Sequence, residues 1–252
     1  MYFYKRLLGV KRNVPNYLIR LETGASSMST RVLKQALLFW IKLRETPPER
    51  YTRACFDALV HPQYQDIKFN WALQLRNTLN KLGYGFLFET EDTDQIKNCL
   101  YEILIRHIDI QRQDDISSVN NSKVFNYYKH LIREDIGPSN YLFMNLPFSK
   151  LTLLAQCRLN NGDFYFEKNK HYLVSDTICT ICNYREEETL EHFITKCNLY
   201  RGSRLHWISA TFGEDLPRNW VHWLSFESTE HCYGMYKYLC ESLRLRKLVL
   251  DE

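Results

Sequence analysis

Apolar residues recur at helical spacing along most of the chain, and glycine, proline and short polar stretches divide the resulting segments. Residues 1–8 are apolar and aromatic around Lys5 and Arg6 and read as a helix, with Gly9, Pro15 and Gly24 breaking the chain after it. From Thr30, a candidate N-cap, Val32, Ala36, Phe39, Trp40 and Leu43 recur on one stripe. Arg31, Lys34, Gln35 and Lys42 gather opposite, and Pro47-Pro48 ends the segment, which makes an amphipathic helix with a basic outer face. Further helices are expected over 50–60 and 70–82, with His61-Pro62 between them. Gly83 and Gly85 bracket Tyr84, and Phe86-Leu87-Phe88 reads as a short strand or a helix–helix connector. A long helix over 93–113 carries Ile96, Leu100, Ile103, Leu104 and Ile108 on one side. A polar loop, 117–122, leads to another helix marked by Val124, Tyr127, Tyr128, Leu131 and Ile132, closed by Gly137-Pro138.

Residues 149–159 read as a helix running into the turn Asn160-Asn161-Gly162, after which Phe164, Tyr165 and Phe166 follow. Helix is expected again over 199–212 until Leu216-Pro217, and Trp220 with Trp223 marks a short buried helix. The last segment, 229–250, places Cys232, Tyr236, Leu239 and Leu243 on one stripe, interrupted by Gly234, and ends with Arg244, Arg246 and Lys247. Internal repeats and low-complexity tracts are absent from the sequence, and the fold class expected is all-α.

Composition adds little and charge distribution adds more. The chain has 252 residues, 45% hydrophobic and 25% charged, enough for a sizeable core and ordinary for a soluble protein. Its net charge is +4, but residues 1–60 hold eleven Lys/Arg against four Asp/Glu, leaving the remainder net acidic. A basic first quarter suits a surface that meets a phosphate backbone, or is a solvated face. The opening MYFYKRLLG lacks the long apolar run of a secretory signal, and no stretch approaches the length of a membrane span. Eight cysteines in such a chain point to a reducing, intracellular compartment, nuclear or cytoplasmic. Cys55, Cys99, Cys157, Cys232 and Cys240 are then expected in the core.

The other three cysteines stand in CTICNYREEETLEHFITKCNLY, residues 179–200. Cys179 and Cys182 can present two thiolates from one tight turn, and His192 with Cys197 completes a Cys₃His set. Such a set suits Zn2+, a d¹⁰ ion without geometric demands of its own. The alternative is a group of buried structural cysteines. Glu186 to Glu188 and Thr189 read as the opening of a short helix. Because an i, i+5 offset in a regular helix points two side chains apart, that helix is expected to end or distort before Cys197.

Four protein ligands leave no open position for a catalytic water, so the metal is expected to be structural. The deaminase arrangement needs H-x-E with P-C-x-x-C, whereas here Glu191 precedes His192 and the CxxC comes first. The only adjacent aspartates are Asp114-Asp115, which follow Arg112-Gln113 and read as a solvated loop, not as a polymerase metal site. Gly-rich phosphate loops and a G-x-S-x-G elbow are absent from the sequence. The expectation is a chain without catalytic residues of its own.

CxxC, an acidic run, then E-H-F-x-x-x-C and an aromatic resembles the C-terminal zinc knuckle of non-LTR (LINE-type) retrotransposon reverse transcriptases, here Cys179, Cys182, Glu191-His192-Phe193, Cys197 and Tyr200. LTLLAQCRLNNGDF resembles the run before that knuckle, with Leu154, Arg158 and Gly162 in corresponding places. FYKRLLGVKRNVPNYLIRLETG and RVLKQALLFWIKL resemble the family's thumb segment and the helix after it, with Ser26-Ser27 standing where Leu-Pro is expected. The resemblance implies a thumb-like basic segment over 1–60, a helical linker over 61–146, a zinc-knuckle domain over 147–215 and C-terminal helices over 216–252. It implies RNA and target DNA as partners, and an RNA-directed DNA polymerase whose catalytic palm lies upstream of these residues. Lys34, Lys42, Lys196, Tyr200, Arg201 and Arg204 are the candidate nucleic-acid contacts, joined near the knuckle by Lys168, Lys170, His171 and Tyr172. Phe193 and Tyr200 are equally readable as the small core of the knuckle. The rival to the nucleic-acid reading is a zinc-stapled helical scaffold for protein partners.

Overall fold

The computed structural model describes residues 1–61, 69–161, 178–179, 181–182, 184–212 and 220–250. Among these the chain is helical, and its one extended pairing is an isolated antiparallel bridge between Ile178 and Glu187. The helices are α1 (Tyr2–Leu7), α2 (Asn16–Thr23), α3 (Met28–Glu45), α4 (Tyr51–Val60), α5 (Trp71–Leu82), α6 (Phe86–Glu89), α7 (Thr93–Asn120), α8 (Phe148–Arg158), α9 (Arg201–Ser203), α10 (Ser209–Phe212) and α11 (Thr229–Leu250). Short 3₁₀ and π turns lie between them. By contact the chain divides into two units, one of residues 26–114 and one of residues 1–25 with 115–252.

The 26–114 unit closes around Leu33, Leu37, Trp40, Ile41, Phe56, Leu75, Leu79, Leu87, Phe88, Ile96 and Ile103. Trp40 is fully buried and stacks on Phe88 at 5.4 Å between ring centroids. That packing turns α3 by one position relative to the stripe expected from periodicity. Leu33, Leu37, Trp40 and Ile41 face inward, while Val32 and Phe39 are 60% and 52% exposed. Two apolar stripes overlap on this helix, and spacing alone cannot choose between them. The N-cap is Ser27, not Thr30: the Thr30 amide donates to the Ser27 hydroxyl at 3.3 Å. Asn70 caps α5 by accepting from the Leu73 amide at 3.1 Å and donates to the Leu59 carbonyl at 2.8 Å, tying the end of α4 to the start of α5. Of the two alternatives for Phe86-Leu87-Phe88, the structure has the helix–helix connector, one helical turn between α5 and α7, and not the strand.

The other unit gathers Val14, Leu18, Ile19, Tyr128, Tyr141, Leu154, Phe193, Tyr200, Tyr238 and Leu239 in one core. Helix α7 runs through the expected polar loop to Asn120, because Asp115 and Val119, one turn apart, both face inward. Asp115 is therefore not a solvated loop residue: it is 5% exposed and pairs with Arg20 at 2.5 Å. The helix expected around Tyr127, Tyr128 and Leu131 is a 3₁₀ helix over Asn126–Leu131. The 199–212 segment is composite, a 3₁₀ turn followed by α, π and α pieces. Gly234 has a packing reason, since a Cβ there would lie 2.1 Å from the Thr211 hydroxyl of α10. Gly24 holds a left-handed φ of 62°, and its Cβ would meet the Gly137 carbonyl carbon at 2.7 Å. All eight cysteines are free; Cys157 and Cys232 are buried as expected, whereas Cys55 and Cys240 are exposed and Cys99 is half-buried. Gly162, Phe164, Tyr165, Phe166, Leu216 and Pro217 lie outside the described residues.

At the centre of this unit Glu22 and Arg158, 0% and 2% exposed, form an ion pair at 3.0 Å. The Glu22 carboxylate also accepts from the hydroxyls of Tyr128, Tyr141 (2.6 Å) and Ser139 (3.1 Å). Arg158 donates onward to the carbonyls of Leu131 (3.0 Å) and Leu224 and to the Ser139 hydroxyl (3.3 Å). A buried charge pair persists only when its remaining donors and acceptors are also satisfied, and these are.

Candidate metal centre

The Cys₃His residues come together. Cys179, Cys182, His192 and Cys197 are all buried, and their ligand atoms lie within 4.8 Å of one another. A tetrahedron with Zn–S bonds of about 2.3 Å has edges of roughly 3.8 Å, so a small contraction around an ion would close the group. Cys182 Sγ and His192 Nε2 already approach to 3.3 Å. The chemistry of the set, three thiols and one imidazole, fits a borderline-soft divalent ion.

Local structure explains the convergence. Cys179 donates its amide to the Glu186 carbonyl at 2.8 Å, and the bridge Ile178–Glu187 beside it folds the first two cysteines back over the histidine. Glu186 to Glu188 are thus extended and do not open the helix. The helix begins at Leu190, capped by Thr189, whose hydroxyl accepts from the His192 amide at 3.1 Å. The distortion expected between His192 and Cys197 is a π-helix over His192–Lys196, sealed by the Cys197 amide on the His192 carbonyl at 2.9 Å. A π turn takes more residues per turn than an α turn, so an i, i+5 pair lands closer to one face.

Four residues given no role at the site in the sequence, Glu186, Glu188, Tyr238 and Arg246, complete the surroundings. His192 Nδ1 faces Glu186 at 3.1 Å, which orients the ring and leaves Nε2 towards the thiols. Glu188 lies 3.9 Å from Cys179 Sγ and pairs with Arg246 of α11 at 2.6 Å, both nearly buried. The Tyr238 hydroxyl, also from α11, donates to the Phe193 carbonyl at 2.7 Å. The acidic run was visible, but its pairing with an arginine 58 residues later left no local signal. Burial, and after it the neighbouring thiols, push the Cys197 thiol up to about 12, and burial raises Cys179 as well. Three thiolates so enclosed require a cation to hold them ionised.

The candidate nucleic-acid contacts divide by exposure. Lys34, Lys42, Lys196 and Arg201 are exposed, Lys196 lying 3.5 Å from Glu191. Tyr200 is 1% exposed, its ring edge-on to Phe193 at 4.9 Å and its hydroxyl 3.4 Å from Arg246. Arg204 is 9% exposed and donates to the carbonyls of Ile194 (3.0 Å) and Cys197 (2.6 Å). Both thus support the metal centre from within. Lys168, Lys170, His171 and Tyr172 lie outside the described residues. No family model, curated protein or solved structure matches this chain. Among the described residues no helix is long and apolar enough to cross a membrane.

Proposed function

We propose that this chain is the zinc-binding, nucleic-acid-binding C-terminal part of a non-LTR retrotransposon reverse transcriptase, without the catalytic palm in these residues. The observation that carries the reading is the convergence of Cys179, Cys182, His192 and Cys197 on a motif whose spacing resembles that family's knuckle. Zn2+ held there is structural: it fastens the 178–200 segment to the core that surrounds Phe193 and Tyr200. The RNA- and DNA-facing role belongs to the exposed cations Lys34, Lys42, Lys196 and Arg201.

If these cations meet phosphates, binding of labelled single-stranded RNA weakens linearly in log–log against salt, with a slope of about −0.7 per contacted phosphate. The double variant Lys34→Glu/Lys42→Glu is expected to bind more weakly and with a shallower slope, whatever the RNA sequence. Equally weak, salt-independent binding by both proteins would overturn the nucleic-acid reading in favour of a zinc-stapled interaction scaffold. A primer-extension assay on an RNA template with magnesium or manganese is expected to show no product, because Asp115, of the only aspartate pair in the described chain, is engaged by Arg20. Template-dependent extension by the purified chain would refute that.

A further inference from the structure

The outer face of α3 carries more than charge. Phe39 is 52% exposed, yet its ring is held from behind: it lies 5.5 Å from Trp71, which lies 5.7 Å from Phe56, which lies 6.5 Å from Phe88 in the core of the same unit. This chain of rings fixes an aromatic face towards solvent. Met28 and Val32, 69% and 60% exposed, stand at i−11 and i−7 from Phe39 and so share its side of the helix. Arg31, Leu38 and Lys42 run alongside at i, i+7 and i+11, with Lys34 on their outer edge; all four are exposed. Glu45, the one acidic residue of α3, is taken by Lys97 at 2.6 Å, so the three cations meet no carboxylate on their own helix.

Resting on the nucleic-acid reading above, we infer that α3 binds an unpaired strand, with Phe39 as the platform for a base and Arg31, Lys34 and Lys42 along the phosphates. From Arg31 to Lys42 the helix rises roughly 16 Å, room for a few nucleotides of backbone. A duplex offers this face phosphates, sugars and base edges, but its base faces stay stacked inside the helix and leave the Phe39 ring nothing to stack on. An unpaired strand offers both groups at once, base faces for the ring and phosphates for the cations. An acidic amphipathic peptide is the rival occupant, but the cations line one edge of a convex helix instead of rimming a groove, which suits a backbone in single file better than a docked helix.

The test measures fluorescence anisotropy of the full chain with a short labelled single-stranded RNA and with the same strand annealed to its complement. Phe39→Leu keeps apolar cover over Trp71 but has no aromatic face, and Phe39→Trp keeps one. The expected result is a roughly 5- to 150-fold loss of single-strand affinity in Phe39→Leu, with salt slope and duplex affinity unchanged and with Phe39→Trp close to the parent. The inference is overturned if Phe39→Leu leaves single-strand affinity unchanged, if duplex affinity falls equally, or if Phe39→Trp fails like Phe39→Leu. When Lys34→Glu/Lys42→Glu still lowers affinity in those cases, the broader nucleic-acid reading survives. Salt-independent binding by every variant removes both. A labelled acidic amphipathic peptide that binds in a Phe39-dependent way, while RNA does not, gives the face to a protein partner instead.

Discussion

Cys182→Ser is expected to strip the metal and melt the unit formed by residues 1–25 and 115–252, leaving the 26–114 unit folded. Structural zinc in small modules contributes on the order of 10–16 kcal/mol of apparent binding free energy. A whole domain is stable by only about 5–15 kcal/mol, so a loss of that size cannot be absorbed locally. It propagates because the ligand-bearing segment is part of a larger core: Cys179, Cys182, Phe193, Ile194, Cys197 and Tyr200 pack in the same cluster as Leu18, Tyr141, Leu154 and Tyr238. The other unit has a separate apolar core around Trp40, Leu79 and Phe88. Hydrogen exchange checks this directly. Amides of α8 and α11 are expected to lose protection in the variant while those of α3 and α5 keep theirs, and elemental analysis is expected to find about one zinc per parent chain and none in the variant. Retained protection in α11 without metal, or a parent chain purified without chelator that carries no zinc, would sink the reading.

The sequence exposed the helical class and the Cys₃His set because both are local patterns: periodicity within one segment, and ligands within nineteen residues, 179–197. Even the break between His192 and Cys197 was legible, since a regular helix cannot aim both residues at one ion, although only the structure shows that the break is a π turn. What stayed hidden was decided by partners far along the chain. The inward face of α3 depends on Trp40 meeting Phe88, 48 residues away. Asp115 looked like a loop aspartate because Arg20, which neutralises it, lies 95 residues earlier. Tyr200 and Arg204 carry functional groups that suit stacking and phosphate contact, and nothing in their spacing shows that Arg246 and the Ile194 and Cys197 carbonyls already engage them. Charged residues read from sequence default to the surface, and that default fails wherever a long-range partner lets the charge be buried.

Glu22 and Arg158 are the strongest case of that failure and give the second large expected effect. Glu22→Gln keeps the side-chain shape but leaves the Arg158 guanidinium, 2% exposed, without its counter-charge. Burial pulls the Arg158 pKa down, but the Glu22 carboxylate and the Tyr128 and Tyr141 phenols together more than offset this, so the arginine stays charged and must be balanced. Breaking one partner of such a pair costs about 3–5 kcal/mol, a large fraction of a domain's stability. Arg158→Met is expected to cost a similar amount, because it also strips the Leu131 and Leu224 carbonyls of their donor. The double variant is then expected to lose less than the sum of the two, and the size of that shortfall measures the coupling. Alkaline pH supplies an independent readout. Burial first, and then the Glu22 charge, raise the Tyr128 and Tyr141 phenols well above 10, and burial raises Tyr200 to about 12. The folded chain therefore keeps protons that the unfolded chain releases above about pH 10, so stability is full below that pH and falls as pH rises through it. In Glu22→Gln the carboxylate's share of the tyrosine shifts is gone while the share from burial stays, so the alkaline decline is expected to begin at the same pH, from a lower starting stability, and to level off at a lower pH. Urea unfolding of the parent and the three variants at neutral pH and above pH 10 decides it. A Glu22→Gln protein as stable as the parent, with an alkaline decline that levels off at the same pH, would mean that this network is not what holds residues 1–25 to the rest of their unit.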